Sequence, residues 1–295
     1  MTAITAEMVK ELRTRTSAGM MECKKALQEA QGDMAKAEEI IAKSGHKKVA
    51  KTAGRTAAEG KIYVGSQADC AVALEINCET DFVARDLSFE QFSQKVLDKI
   101  MSAKPATLEA LLALPLEGDT TVEASRQALI ARLGENIQIR RFQLFVAQAD
   151  EVLGVYSHQG RIGTMILLKG TDSALAKDLA MQVAAMKPQY MSPEQVPSEV
   201  IAREKDILLE VARKSGKPEN VLEKIVMGQI QKQLAEICLT SQPYFKNPDQ
   251  SVAALLKSMN ASVLNMLRLE VGEGIEVEKK SFEEEVMATA RGTNS

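Results

Sequence analysis

The chain has 295 residues, enough for two or more domains, and its 45% hydrophobic and 26% charged content is the balance of a globular protein. Aromatic residues make up only 4% and Trp is absent, so any core must be built mainly from Ala, Leu, Ile, Val and the 14 Met. A net charge of −3 and a pI near 5.7 argue against a surface given over wholly to nucleic acid, and no stretch approaches the roughly 18 unbroken apolar residues of a membrane span.

The opening "MTAITAEMVKELRTRT" carries charges every few residues and no apolar segment, unlike a secretory signal, which predicts a cytoplasmic protein. Residues 5 to 45 predict three short helices. Thr5 is placed to cap the first, with Ile4 and Met8 as a hydrophobic staple. Breaks at "TSAG" (16–19) and "QGD" (31–33) delimit the second and third. In the second, Met20, Cys23, Leu27 and Ala30 follow the spacing of one buried face, which turns Met21 away beside Lys24 and Lys25. Residues 43 to 61 then hold six Lys/Arg against one Glu. A solvated linker is the ordinary reading of such a run, and a surface for an acidic partner the sharper one.

A weak internal repeat organises the rest. Residues 60–78 predict two strands turning at Gln67–Asp69, and residues 153–170 predict the same hairpin turning at His158–Gly160. A helix follows each: 88–101, with Ser88 and Gln91 as a capping box, and 172–186. Each half later supplies a further strand, at 135–148 and 262–274. The predicted class is therefore α+β, with two related units of antiparallel sheet and helix. Between Pro197 and Cys238, helices at 198–214 and 220–238 flank a turn at 215–219. Val200, Ile207 and Val211 on the first, with Val221, Ile225 and Leu234 on the second, predict an antiparallel helical hairpin.

Motifs for chemistry are missing. "GRTAAEGKI" (54–62) has five residues between its glycines and Ile62 in place of Ser/Thr, so it is not a phosphate loop. "GEGIE" (272–276) lacks the third glycine of a dinucleotide fingerprint. With two His and four scattered Cys, a zinc site is not expected, and the cysteines read as reduced packing residues. No nucleophile–base constellation appears, which disfavours a hydrolase or transferase. What is left are side chains that could be presented. In "CETDFVARD" (78–86), Thr80 can cap a short turn with Asp81 in its first position. Burial statistics alone favour Phe82 as a core residue. His158, at the second hairpin's tip, reads locally as an ordinary exposed turn residue.

The blocks "VKELRTRTSAGMMECKKALQEAQGD" (9–33), "INCETDFVARD" (76–86), "LGENIQIRR" (133–141), "YSHQGRIG" (156–163) and "LEVGEGIE" (269–276) together resemble the bacterial translation elongation factor Ts family, in the family's order and across nearly the whole chain. The resemblance implies a guanine-nucleotide exchange factor for the GTPase elongation factor Tu, not an enzyme, needing no cofactor and binding neither nucleotide nor nucleic acid directly. It implies a three-helix N-terminal module similar to ubiquitin-associated domains with its basic linker (1–54), core subdomains at 55–148 and 149–272, and a C-terminal module (273–295). The hairpin, about 194–240, corresponds to the family's coiled-coil insertion, linked to dimer formation. By the resemblance Thr80, Asp81, Phe82 and Val83 enter the partner beside its Mg²⁺ site and disturb the metal's ligands. Arg13, Met20, Met21 and Lys24 fall on the N-terminal contact surface, and His158 matches a contact histidine, with Ser157 and Gln159 departing from the family pattern around it. Phe82 is then a presented residue, the reverse of the burial argument. The alternative is an RNA-binding translation accessory protein, motivated by the basic run, with net acidity and the lack of aromatic–basic stacking motifs against it.

Overall fold

The computed structural model describes residues 4–16, 18–170, 172–213 and 219–276, and the class is α+β. Helices α1 (Ala6–Thr16), α2 (Met20–Glu29) and α3 (Met34–Thr52) come first. Thr5 caps α1 by accepting from the Met8 amide at 3.2 Å, while Ile4 and Met8 pack on the small core of Leu12, Cys23, Ala26, Leu27, Ala30 and Ala37. Asp33 caps α3 through the Lys36 amide, after a reversal in which Gln31 and Gly32 both take positive φ. Met20 departs from the predicted seam. At the first position of α2 it stays 59% exposed, while Cys23 and Leu27 further along are covered. The basic run departs as well: its first ten residues are the last turns of α3 and not a linker.

Two antiparallel sheets follow. In the first, β1 (Glu59–Gln67) pairs with β2 (Cys70–Cys78), which also pairs with β5 (Gln138–Val146). In the second, β6 (Glu151–His158) pairs with β7 (Ile162–Lys169), which also pairs with β10 (Ser262–Glu270). Both are thus a hairpin whose second strand is central, as the repeat predicts, although the third strands are shorter than predicted at their ends. The sheets pack face to face. Ile62, Ala71 and Ala73 of the first meet Met165 and Leu269 of the second. Gly163 permits this approach, because a Cβ there would lie 2.3 Å from Ile62 Cγ2.

Helices cover the outer faces. Helix α5 (Leu87–Ala103) and helix α7 (Val122–Leu133) bury Phe89, Val96, Ile100 and Ile130 against Val72, Leu74 and Ile76. Helix α8 (Ser173–Met186) lies on the second sheet so closely that a Cβ on Gly154 would come within 2.1 Å of the Ala176 carbonyl oxygen. The cap of α5 is Asp86, which accepts from the Ser88 amide, so the helix starts one residue before the predicted Ser88–Gln91 box. Helices α6 (Leu108–Ala113) and α7 and the two-stranded ribbon between them, β3 (Pro115–Glu117) with β4 (Thr120–Thr121), complete the first half. In the second half a short ribbon, β8 (Pro243–Tyr244) with β9 (Asn247–Ser251), leads into helix α11 (Val252–Ser258).

The insertion is a pair of helices, α9 (Ser198–Arg213) and α10 (Glu219–Ile237). Its root is stitched: the Gln189 amide donates to Ile237 O at 2.8 Å and the Leu239 amide to Tyr190 O at 2.9 Å. On α10 the packed ridge is Leu222, Val226 and Ile230, one position round from the predicted Ile225 face, because the i, i+4 ridge is what meets the neighbouring helix. The predicted Val221 side chain lies outside the described residues. On α9 the predicted stripe faces outward at Ile207 and Val211.

Strand β2 is buried from end to end, with even-numbered residues facing helices and Ala71 and Ala73 facing the other sheet. Glu75 is consequently inside, fully covered. It accepts from Arg140 Nη1 (2.9 Å), Arg141 Nε (2.6 Å) and the Gly272 amide (2.9 Å), so one carboxylate joins its neighbouring strand to the segment after β10. Burial alone would push its pKa up, but the Gly272 amide and the two guanidiniums outweigh that and hold it below the ordinary value. A depressed folded pKa stabilises above the unfolded value and the gain is lost as pH falls through the folded one. Stability should therefore decline below about pH 4, where an unfolded glutamate takes up its proton. Glu75→Gln should lower the unfolding free energy by about 3–5 kcal/mol in urea titration and flatten that acid decline.

Candidate functional site

The segment after β2 reads as a presented tip. Strand pairing ends at Cys78, and Thr80, extended at φ −125° and ψ 156°, caps the single turn α4 (Asp81–Ala84) by accepting from the Val83 amide at 3.3 Å. At 100° per residue one turn must face two ways. Val83 and Ala84 pack on the core beneath, and Phe82 points out, 82% exposed. The burial-based expectation for Phe82 is thus wrong. Asp81 is not a free carboxylate, since Arg85 Nη2 lies 3.0 Å from it with both side chains half or more exposed. Leu87, at the start of α5, is a second exposed apolar side chain in the same stretch. The sequence reading missed it, although an apolar residue directly after a helix cap was its available signal.

The base of the tip is held chemically quiet. Cys78 is buried, its Sγ donates to Thr80 O at 3.1 Å, and burial, followed by the Glu135 and Glu59 carboxylates, pushes the thiol up to about 12. It therefore stays a thiol near neutral pH. On the flank, the Ser88 hydroxyl bonding to Asp86 holds that carboxyl below its ordinary value.

Two further surfaces carry the other predicted residues. Arg13 on α1 and Lys24 on α2 are exposed, as are Met20 and Met21, the latter at 75%. Met20 is exposed at the start of α2, and Met21 lies on the far side of that helix from the buried Cys23, with Lys24 one turn on. Glu22, between them, is bound by Lys48 Nζ at 2.8 Å, so α3 braces α2 from behind. His158 ends β6, exposed, with its Nδ1 3.1 Å from the Tyr156 hydroxyl. The reversal after it uses Gln159 and Gly160 at positive φ, and the Gly160 carbonyl accepts from the Ile62 amide at 2.7 Å, which fixes this hairpin end against the first sheet. Each predicted group thus has exposed members: Phe82 on α4, Arg13, Met20, Met21 and Lys24 on α1 and α2, and His158 at the end of β6.

Much of the basic run is occupied within the molecule. Lys43 pairs with Glu39, Lys48 with Glu22, Arg55 with Glu79, and Lys61 with Glu90. Among the described residues no group of three or more His, Cys, Asp or Glu is arranged to hold a metal ion, and no helix is long and apolar enough to cross a membrane.

Comparison with known proteins gives this arrangement a family. The model of the family "Elongation factor TS" matches residues 79–273. The chain is 50% identical over 291 residues to an elongation factor Ts of Thioalkalivibrio sulfidiphilus, covering 98% of this chain and 99% of that one. It is 49% identical to that of Idiomarina loihiensis, covering 97% of each, and 48% identical to that of Methylococcus capsulatus, covering 99% of this chain and all of that one. The chain belongs to the elongation factor Ts family. Its role is accordingly that of a translation elongation factor in protein biosynthesis.

The Arg85–Asp81 contact is surface-exposed, and such pairs contribute ~0–1 kcal/mol. Arg85→Ala should therefore leave the urea midpoint almost unmoved. Ala84→Asp, which puts a charge into the packed side of the same turn, should lower unfolding free energy by about 2 kcal/mol or more.

Proposed function

We propose that the protein is a guanine-nucleotide exchange factor that binds elongation factor Tu in its GDP form, disturbs the partner's Mg²⁺ and phosphate site, and promotes GDP release. The observation that carries this reading is Phe82: a large apolar side chain held out to solvent on a turn whose Val83 and Ala84 are packed on the core. An aromatic so placed contributes nothing to its own core and is suited to a pocket in another protein. It acts in the cytoplasm, by contact and not by chemistry on a substrate, and takes no cofactor.

Exchange of this kind is negative coupling. A partner that weakens GDP binding is itself weakened by GDP by the same factor, and each tenfold is about 1.4 kcal/mol. Burying a Phe side chain supplies roughly 1.5–3 kcal/mol, on the scale of one to two such decades. Asp81 brings a carboxylate toward groups around a metal that needs near-ideal octahedral oxygens, so small displacements loosen it. Thr80 and Val83 hold the turn from below. Arg13, Met20, Met21 and Lys24 make the first docking contact, where adaptable methionines suit a protein surface. His158 makes a third contact at the hairpin end.

In this reading residues 1–54 form a docking module and 55–148 and 149–272 two related core subdomains; of the C-terminal module, 273–295, residues 277–295 lie outside the described residues. The helical hairpin pairs with a second copy, a use favoured by the outward Ile207, Val211 and Met227. RNA binding is the weaker reading, because Lys43, Lys48, Arg55 and Lys61 already serve intramolecular carboxylates.

Stopped-flow release of fluorescent GDP from elongation factor Tu tests the proposal. Saturating protein should accelerate release many-fold, and no acceleration would sink it. Phe82→Ala should slow the maximal release rate by about tenfold or more while the half-saturating concentration, set mainly by residues 1–45, stays near wild type. Met21→Glu should do the opposite, raising the half-saturating concentration at little change in maximal rate.

A further inference from the structure

We propose that Glu135 is a positioning residue for the Thr80–Val83 tip, holding it in its outward conformation before any partner arrives. The proposal rests on the exchange reading above. Glu135 lies just past the end of α7, and both its oxygens are used on the base of the tip. Oε2 accepts from the Glu79 amide (3.1 Å) and the Thr80 amide (3.0 Å), and Oε1 accepts from the Thr80 hydroxyl (2.6 Å). The contact is reciprocal. Glu79 Oε1 accepts from the Asn136 amide at 2.6 Å, and Asn136, itself buried, donates from Nδ2 to Arg55 O at 2.7 Å. Residues 79–80 and 135–136 are therefore laced in both directions.

The Thr80 hydroxyl is what makes this more than a loop tie. Because it gives its proton to Glu135, its lone pairs are left for the Val83 amide, the bond that caps α4. A turn of four residues cannot hold itself, since the first helical turn orders several residues for one hydrogen bond. Phe82 adds no packing of its own to keep the turn closed. The clasp from Glu135 orders the turn in advance, and order present before binding is not charged against the encounter.

The same junction carries the other contact surface. Lys48 Nζ donates to Ala131 O at 3.2 Å while binding Glu22 on α2, and Arg55 Nη1 reaches Gly134 O at 3.4 Å. A Cβ on Gly45 would sit 3.3 Å from Ala131 Cβ, so α3 and α7 cross closely there. Residues 131–136 thus support both the methionine face and the tip, and fix the distance between them.

The test compares Glu135→Ala, Thr80→Val and Thr80→Ser with the wild type in two measurements. In GDP release from elongation factor Tu, Glu135→Ala and Thr80→Val should each lower the maximal rate about tenfold, equivalent to about 1.4 kcal/mol, at an unchanged half-saturating concentration. Thr80→Ser, which keeps the hydroxyl, should restore the rate. The double variant Glu135→Ala/Thr80→Val should be slowed by less than the product of the two single effects, because the two share the Thr80 hydroxyl–Glu135 bond. In amide hydrogen exchange on the free protein, the Val83 amide should exchange faster in Glu135→Ala and Thr80→Val but not in Thr80→Ser. A wild-type maximal rate in Glu135→Ala, or a defect seen only in half-saturation, would overturn the positioning role. If Glu135→Ala does not fold, the Thr80→Val and Thr80→Ser pair decides, and equal rates for the two overturn it. If the wild type does not accelerate GDP release from elongation factor Tu, the exchange reading falls, and Val83 amide exchange still judges the clasp separately.

Discussion

Because the strand Cys70–Cys78 is covered on both faces, its single carboxylate can only point inward, and the molecule is assembled around the answer to that burial. Arg140 and Arg141 arrive from the adjacent strand, and the Gly272 amide from the far end of the other sheet. An unpaired carboxylate there would be far more costly than any packing defect nearby. The two sheets therefore have a common register point that apolar contacts, being non-directional, cannot supply. Removing an arginine leaves the fully covered carboxylate short of a partner, which costs more than losing a surface pair.

From that register point outward, the exposed residues follow from where pairing stops. Strand β2 ends at Cys78, and the next few residues must leave the sheet at a place set by Glu75 three positions earlier. The hairpin end at Gly160 is fixed to Ile62 on the neighbouring strand, and the first helices are braced through Lys48 against α7. Three surfaces on separate elements are in this way held by polar contacts of defined direction. Long-range recognition needs such rigidity in the parts that do the touching.

Much of the architecture could be read from residue pattern. The two hairpins are legible because turn residues interrupt long runs of β-branched and aliphatic side chains, and the helices at 87–103 and 173–186 because their apolar faces repeat regularly. Helix α7 was not foreseen. It buries Val122 and Ile130 toward the core and turns alanines toward α3, so no single apolar stripe marks it. Met20 has the spacing of a buried face, but spacing cannot say whether a neighbour covers the first residue of a helix, and here it is exposed. For the tip, the Thr80 cap was readable from residue type, whereas the orientation of Phe82 was not. Residue statistics described a typical Phe, and only the resemblance across the chain indicated that this one is turned out. Glu135 lies within the block "LGENIQIRR" yet carries no signal of its own, since its partners are more than fifty residues away.

The stitched root of the helical insertion has a consequence for how the chain can change. The main path enters at Gln189–Tyr190 and returns at Ile237–Leu239, and these two points are already hydrogen-bonded neighbours. Everything between them is a detour whose ends coincide. Lengthening, shortening or replacing such a detour alters loop-closure entropy only logarithmically and leaves the sheets' register untouched. The insertion can therefore diverge at its own pace, as an appendage evolving on a core that is not free to follow it.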